Sequence, residues 1–536
     1  MNVRGQRTED RGQKNLFHSP FHDKGIDREG LIQGLSSVFG FLSSVNQKAV
    51  SEVSTSGICP LSSVLCHLTS DSRAVRPGDT FVAYPGERQD GRKYIPDAIR
   101  AGCNAVLWER GGFTWNPSLL IPNLGVEDLR SKAGVIAEQA YGNPSEKLWM
   151  IGVTGTNGKT SCAHWLAQAL TWLSRKSAVM GTLGNGFAGS LTPSPNTTPD
   201  ALELHRQLRE YLDAGAQCVA MEVSSHGLAQ GRVNGVHFDV ALLTNLSRDH
   251  LDYHGDMAAY ATTKASLFGW PGLKYAVLNL DDPFGAELAG KLGCSGVQVV
   301  GYSLEGNREN AHFAILARKL RLGAAGIAFE VATPWGTADL ASPLLGRFNA
   351  QNLLATLAGL LVSGVALAEA IAALERIQPV AGRMQKLGGS GKPLVVVDYA
   401  HTPDALEKVL ATLKEVAAGR LICVFGCGGG RDKGKRPLMG AAASRLADAV
   451  IVTSDNPRHE DPQAIINDIV AGMNANYHVM EDRALAICEA IRQAAPHDVV
   501  LIAGKGHEEY QEMNGTKLPF SDTDVAQRVL QDYTPC

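Results

Sequence analysis

No stretch of 18 uncharged apolar residues occurs in this 536-residue chain, so a membrane-spanning helix is not expected. The amino-terminal residues are polar and of mixed charge. They lack the short apolar core of a secretory signal, and a cytoplasmic protein is the expectation. The ten cysteines include no CxxC pair. The nearest two, Cys423 and Cys427, are spaced CxxxC, which supports neither a zinc site nor a disulfide framework. An excess of one charge is also missing. Fifty Lys and Arg against 54 Asp and Glu leave a formal charge of −4, without the global footprint of a nucleic-acid-binding protein. No short internal repeat is visible.

What the sequence does contain is core material. Hydrophobic residues make up 44% and charged residues 19%, which excludes a wholly disordered chain. At roughly 100–200 residues per domain the length suggests three domains. Residues 1–45 read as a poorly ordered extension, in which 31–45 is apolar enough for a short helix. Residues 46–143 read as a small α/β domain, with a strand at Thr80-Phe81-Val82-Ala83-Tyr84, a helix over 94–101 and a strand over 105–108. The breaker Asn143-Pro144-Ser145 opens a second block, 144–378, with apolar strands over 149–153, 218–223, 240–244 and 275–280. Helical stretches between several of them predict a parallel sheet covered on both faces. A third block, 379–536, alternates strands over 394–397, 421–425, 449–453 and 499–503 with helices, a doubly wound α/β pattern.

The sharpest motif is Gly152-Val153-Thr154-Gly155-Thr156-Asn157-Gly158-Lys159-Thr160, between a strand and a helix. Successive backbone amides in such a loop, with the helix amino terminus, form an anion cradle. Lys159 is placed to reach the β- and γ-phosphates of a nucleotide, and the Thr160 hydroxyl to hold Mg2+. The usual phosphate loop has glycine five residues before Gly158. Val153 stands there, so the strict pattern fails by one position.

The ending Gly155-Thr156-Asn157-Gly158-Lys159-Thr160 resembles the variant typical of the Mur ligases and folylpolyglutamate synthetases, which join an amino acid to a carboxylate using ATP. Further segments narrow the resemblance to the Mur ligases. They are Met221-Glu222-Val223-Ser224-Ser225-His226-Gly227, the stretch from Asn245 through Ser247-Arg248-Asp249-His250 to Asp252, and Asp398-Tyr399-Ala400-His401-Thr402-Pro403-Asp404. The stretch 426–437 and the tetrad Asp455-Asn456-Pro457-Arg458 belong with them. The resemblance spans about 69–523. It implies three α/β domains: a small N-terminal domain, a central P-loop ATPase with a parallel-rich sheet, and a C-terminal Rossmann-like domain. It also implies ATP and Mg2+, with a UDP-N-acetylmuramoyl dipeptide and meso-diaminopimelate as small-molecule substrates, and no nucleic acid.

The same resemblance implies roles by position. Glu222 falls on a Mg2+ ligand and His250 on a second metal position, although a lone histidine at a strand end reads on its own as a loop hydrogen-bonder. Lys264 falls on a carbamylated lysine near that second metal, whereas by itself it reads as a solvated helix lysine. Asn349, Asn352, Arg383 and Asp398 fall on nucleotide contacts; each asparagine alone reads as a helix cap. Ser70, Ser72, Glu87, Arg88 and Gln89 match positions that hold the uridine diphosphate, where a glutamate is an odd neighbour. Asn196, Thr197, Thr198, Ser224, Gln230 and Arg232 match those for the muramoyl-dipeptide end. Arg431, Asp455, Asn456, Pro457, Arg458, Gly504 and Glu508 match the diaminopimelate contacts. Arg458 is the residue type that grips a carboxylate bidentately, and diaminopimelate differs from lysine by one carboxylate. Two rivals stay open: a lysine-adding ligase, which should lack that arginine, and a P-loop switch or motor, which leaves Lys264, the tetrad and the third block without a purpose.

Overall fold

The computed structural model describes residues 67–534 together with Ser37, Gly40 and Phe41, apart from 88, 294, 324, 325, 390 and 475. The extension expected over 1–45 lies outside the described residues except for those three. All three are helical, and Phe41 rests on Ala105. The chain forms two compact units, one from the described residues of Met1–Arg130 with Ala258–Pro271, the other from Ser131–Met257 with Gly272–Cys536.

The first unit carries a sheet of β1 (Leu68–Thr69), β2 (Thr80–Ala83), β3 (Ala105–Glu109) and β4 (Asn123–Val126), paired in that order and parallel throughout. Phe81, Ala83 and Val106 pack with Ile95 and Ala98 of the helix Ile95–Arg100 to make its core.

The second unit holds two large sheets. The first contains β5 (Trp149–Thr154), β6 (Ser177–Gly181), β7 (Gly184–Phe187), β8 (Ser190–Thr192), β9 (Cys218–Glu222), β10 (Val240–Leu243), β11 (Tyr275–Asn279), β12 (Gln298–Ser303), β13 (Phe313–Gly323), β14 (Gly326–Thr333) and β15 (Gly336–Ser342). Their order is β15-β14-β13-β12-β11-β10-β5-β9-β6-β7-β8. From β13 to β6 the strands are parallel, and antiparallel hairpins extend both ends. The parallel centre matches the sequence expectation. The hairpins do not appear in it, although β14 alternates between buried and half-buried residues along its length.

The helices Lys159–Trp172 and Arg347–Val362 pack together over this sheet. Arg347–Val362 is apolar on nearly every side, the pattern of a helix sunk in a core. Leu353, Leu354 and Leu357 are fully buried there, and truncating any one to alanine should cost about 2–5 kcal/mol.

The second sheet of this unit contains β16 (Gln385–Gly388), β17 (Leu394–Asp398), β18 (Leu421–Phe425), β19 (Ala449–Val452), β20 (Tyr477–Val479) and β21 (Val499–Ala503), in the order β16-β17-β21-β18-β19-β20. Only β16 runs antiparallel. Its central strands β18, β19 and β21 are apolar at every position because both faces are covered. Val396, Cys423, Phe425, Val450 and Leu501 face one core, while Val395, Val397, Ile422, Val424 and Ile502 face the other. This period-two division is what a doubly wound sheet requires. A hairpin of β22 (Tyr510–Met513) and β23 (Thr516–Pro519) follows.

Candidate active site

The phosphate loop leaves the carboxyl end of β5. Gly155 has φ 141° and Gly158 φ 87°, conformations that other residues adopt only under strain. Space excludes side chains as well. A Cβ on Gly155 would lie 1.9 Å from Thr244 Oγ1, and one on Gly158 2.5 Å from Asn352 Oδ1. The loop is moored from the end of β10: the Thr156 amide donates to the Asn245 carbonyl at 2.9 Å and the Asn157 amide to Asn245 Oδ1 at 3.0 Å. Lys159 Nζ folds back over the loop and donates to the Gly155 and Thr156 carbonyls, each at 2.9 Å. Burial pulls its ammonium below the usual lysine range, against the pull of Glu222 and Asp249.

Beside it, the Thr160 hydroxyl donates to Glu222 Oε2 at 3.0 Å. Glu222 is buried at the end of β9, and its Oε1 takes the Thr182 amide at 2.8 Å. A Cβ on Gly181 would fall 2.2 Å from that same oxygen, so the glycine makes room for the carboxylate. Thr182, a residue absent from the sequence reading, thus orients Glu222 from the end of the neighbouring strand. A buried hydroxyl and carboxylate form an all-oxygen donor pair that suits a hard divalent cation such as Mg2+.

A cavity of about 370 Å³ brings the loop, Glu222 and the start of the substrate residues together. Lys159, Thr160, Asn196, Thr197, Ser224 and His250 all line it. His250 stands at φ 54° just before the short helix Leu251–His254. Its Nε2 lies 3.3 Å from Asp249 Oδ2, and its ring meets the His226 ring edge-on at 4.8 Å between centroids. Burial works against the Asp249 charge, but His250, His401 and Lys159 hold its carboxyl below the usual range.

The residues assigned to the muramoyl-dipeptide end form one network. Thr198 Oγ1 donates to the Glu222 carbonyl at 2.9 Å and lies 3.1 Å from Ser224 Oγ, which caps the helix Ser225–Ala229. Arg232 donates to the Thr198 carbonyl at 2.9 Å and to Gln230 Oε1 at 2.8 Å. Ser194 Oγ holds the Asn196 carbonyl, and the Thr197 hydroxyl lies 3.1 Å from that of Thr182.

A second cavity, about 440 Å³, opens on the other side of the loop and brings together Asn349, Asn352, Arg383 and Asp398. Neither asparagine caps a helix, since Gly346 holds that position for Arg347–Val362. Asn349 Nδ2 instead donates to the Leu345 carbonyl at 2.8 Å, and Asn352 faces the loop at Gly158. The Arg383 guanidinium lies 4.5 Å over the Tyr399 ring, with Nη2 reaching Thr160 Oγ1 at 3.3 Å and its buried Nε unpaired. Asp398 accepts the Met384 amide at 2.7 Å and the Ala400 amide at 2.8 Å, and burial raises its carboxyl pKa. Asp281 and Asp282, at the end of β11, also line this cavity and went unread in the sequence, where they stand as plain loop acids.

The third cavity, about 570 Å³, lies at the carboxyl ends of β17, β18, β19 and β21, where ligands gather in open α/β sheets. Arg431, Asp455, Asn456, Arg458, Gly504 and Glu508 line it, whereas Pro457 does not. Arg458 has φ 55°; its Nη1 donates to the Gly429 carbonyl at 2.7 Å and its Nε lies 3.3 Å from Glu512 Oε2. Asp249, His250 and Arg431 line both this cavity and the one at the phosphate loop, so the two adjoin.

In the first unit, Ser70 and Ser72 flank Asp71, whose carboxylate binds Arg73. Glu87 turns its carboxylate to Arg130, 3.5 Å away, which accounts for an acid at a position assigned to a diphosphate. Gln89 accepts from the Tyr94 hydroxyl at 2.7 Å. Arg88 lies outside the described residues. Lys264 also belongs to this unit. It is 1% exposed, with its ammonium 4.7 Å from the Tyr260 ring centroid, so the burial that carbamylation calls for is met.

A phosphate loop beside a doubly wound sheet, with their cavities sharing a wall, is the arrangement of a nucleotide-dependent enzyme with an adjoining pocket for a second substrate. Comparison with known proteins places it. Residues 66–141 match the Mur ligase family catalytic domain, 153–360 the Mur ligase middle domain, and 382–506 the Mur ligase glutamate ligase domain. The chain is 56% identical over 465 residues to the UDP-N-acetylmuramoyl-L-alanyl-D-glutamate–2,6-diaminopimelate ligase of Chromobacterium violaceum, covering 86% of this chain and 93% of that protein. A solved structure under the same enzyme name aligns with a TM-score of 0.63 at 39% identity over 87% of this chain and 95% of its own. A ligase of Thermotoga maritima solved in complex with ADP shares the fold, with a TM-score of 0.63 at 20% identity over 88% and 99% of the two chains. The chain belongs to the Mur ligase family.

Proposed function

We propose that the protein adds meso-diaminopimelate to UDP-N-acetylmuramoyl-L-alanyl-D-glutamate, using ATP, in cytoplasmic peptidoglycan precursor synthesis. The observation that carries this reading is the shared wall of two cavities. Asp249, His250 and Arg431 face both the phosphate loop and the pocket at the carboxyl ends of β17, β18, β19 and β21. An activated carboxyl group formed at the loop is therefore next to an incoming amine.

A free carboxylate is a poor acyl donor. Transfer of the γ-phosphoryl group makes it an acyl phosphate, the amine attacks, and phosphate leaves. The chain must gather positive charge and donors around the transferring group, and Lys159 and the loop amides supply them. Asn349, Asn352, Arg383 and Asp398 hold the nucleotide. The Thr198–Ser224–Arg232 network orients the dipeptide end, while Ser70, Ser72 and Gln89 with their neighbours hold the uridine diphosphate. Thr160 and Glu222 would hold Mg2+, which when bound supplies charge neutralisation at the phosphates. His250 would serve a second metal, and Lys264 would carry the carbamate. Arg458 receives the far carboxylate of diaminopimelate.

Phosphate release, measured with the UDP-linked dipeptide and a panel of amino acids, tests the reading. Release should require both substrates and be fastest with meso-diaminopimelate. ATP hydrolysis that ignores both, or responds to a macromolecule instead, would sink it.

A further inference from the structure

Lys505 lies in the loop after β21, between Gly504 and Gly506, and its side chain has no exposure. It does not line the amino-acid cavity, yet Asn456, Gly504 and Glu508 around it do. Lys505 Nζ donates to Asn456 Oδ1 at 2.8 Å and lies 3.3 Å from Glu508 Oε2. The same Glu508 oxygen accepts Asn456 Nδ2 at 2.7 Å. The same Asn456 oxygen also accepts the Glu512 amide at 2.9 Å. The three side chains close a triangle, with the Tyr510 ring 5.5 Å from the ammonium.

The triangle has two chemical consequences. An asparagine amide can turn either way, and two donors on Oδ1 fix it so that its NH2 faces Glu508. Glu508 in turn has one oxygen committed to the protein. No hydrogen bond from the described residues reaches its Oε1, the oxygen left for a ligand. A lysine sealed from water is costly unless its charge and donors are met, and here both are met by residues of one pocket.

We propose that Lys505 is a positioning residue for the amino-acid substrate. It sets the amide of Asn456 and the carboxylate of Glu508 so that Oε1 receives an ammonium group of the diamino acid. This rests on the reading of the cavity given above. Lys505 never touches the substrate, so its effect should fall on amino-acid binding and pass through Glu508.

The test compares the full-length wild type with K505M, which keeps the length and loses the charge, and with K505R. K505M should raise KM for meso-diaminopimelate roughly 10–100-fold, the scale of one hydrogen bond to a charged group. KM for ATP and for the UDP-linked dipeptide should stay within about threefold of wild type, and K505R should recover part of the loss. In an E508Q background, adding K505M should change KM for diaminopimelate by less than about twofold, because the residue it acts through is already altered. The proposal falls if all three KM values rise together, if only kcat and the melting temperature drop, or if the two substitutions act additively. K505Q carries the same comparison should K505M not fold. A wild type that never saturates with diaminopimelate overturns the underlying reading, and the proposal falls with it.

Discussion

Gly382 and Gly506 meet backbone to backbone. A Cβ on Gly382 would lie 2.1 Å from the His507 nitrogen, and one on Gly506 would lie 2.7 Å from the Gly382 carbonyl oxygen. The next residue after Gly382 is Arg383, which reaches Thr160 of the phosphate loop. Two residues beyond Gly506 stands Glu508, in the amino-acid cavity. One crossing of bare backbone thus fastens the nucleotide side to the amino-acid side.

Gly382→Ala should therefore damage both stability and turnover. Gly382 has φ 65°, where an alanine is strained by about 1–2 kcal/mol before any clash. The new methyl would also push the Gly506–His507 segment away. We expect a melting temperature lower by several degrees and at least a roughly tenfold loss of turnover. An alanine variant with wild-type melting and phosphate release would show that the crossing yields freely.

Lys159→Ala should abolish turnover while leaving the fold intact. Among the described residues the ammonium bonds only to carbonyls of its own loop, so its loss leaves no distant element among them unsupported. Removing charge from such a site typically costs about 10²–10³ in rate. Circular dichroism and the melting curve should match wild type. Retention of more than about a tenth of the activity would contradict the electrostatic role.

The phosphate loop and the ladder of the C-terminal sheet were legible because both are local signals. The loop motif is nine consecutive residues running from the end of a strand into a helix, and β18 and β21 are apolar runs whose observed bounds equal the expected ones. Asn349 and Asn352 defeated a residue-by-residue reading. Short polar residues at a helix start suggest caps, but here Gly346 takes that position and both side chains line the cavity instead. Thr182 and Lys505 were invisible for a different reason. Each matters through partners brought close by folding, Glu222 for one and Asn456 with Glu508 for the other, and separations of 40 and 49 residues carry no pattern in the chain. The outer hairpins were missed although β14 shows its alternation, while β7 is short and glycine-rich and β8 has only three residues.

Stability should fall on mild acidification. Burial, with Lys435 next in effect, pushes His401 down to about 4, and burial with Arg383 does the same for His507. In the unfolded chain both imidazoles titrate near ~6.5. Between those values the unfolded chain binds more protons, so stability rises with pH across that window. It is fully present above about 6.5 and lost as the pH falls toward 4. Melting curves at pH 5 and 7 should show the drop, and His401→Gln with His507→Gln should flatten it. An identical wild-type melting temperature at both values would refute the assignment.

Lys264→Ala should cripple the enzyme, and short carboxylic acids in the buffer should restore part of the activity by standing in for the carbamate. The side chain is buried in the helix Met257–Ala265, so its removal leaves an internal space for a small acid. Bicarbonate dependence of the wild type gives a second readout. Full activity in the alanine variant would end the carbamate proposal.

Meso-diaminopimelate should be used far better than L-lysine, with Arg458 carrying much of that preference. The guanidinium is already held by the Gly429 carbonyl and Glu512, in a backbone conformation that few residues tolerate. It is thus preorganised for a carboxylate. With lysine bound, the group beside it is apolar or ammonium, and the donors facing the cavity go unmet. A site built to hydrogen-bond a polar group can reject an analogue lacking it by about 10⁴-fold or more. Because Glu512 and Gly429 keep part of the guanidinium satisfied, the preference here should be smaller, about 10²–10³-fold. Arg458→Ala should damage diaminopimelate use severely and lysine use much less, narrowing the ratio. It need not make a good lysine enzyme, since Asp455, Asn456 and Glu508 keep their places, but it also strips Glu512 of its partner. Arg458→Lys separates these effects: charge is kept for Glu512 while the bidentate fork is lost. Competition kinetics on the wild type and both variants decide the matter. Equal use of the two amino acids by the wild type would overturn the substrate assignment, and an unchanged ratio in Arg458→Ala would remove Arg458 as the selector.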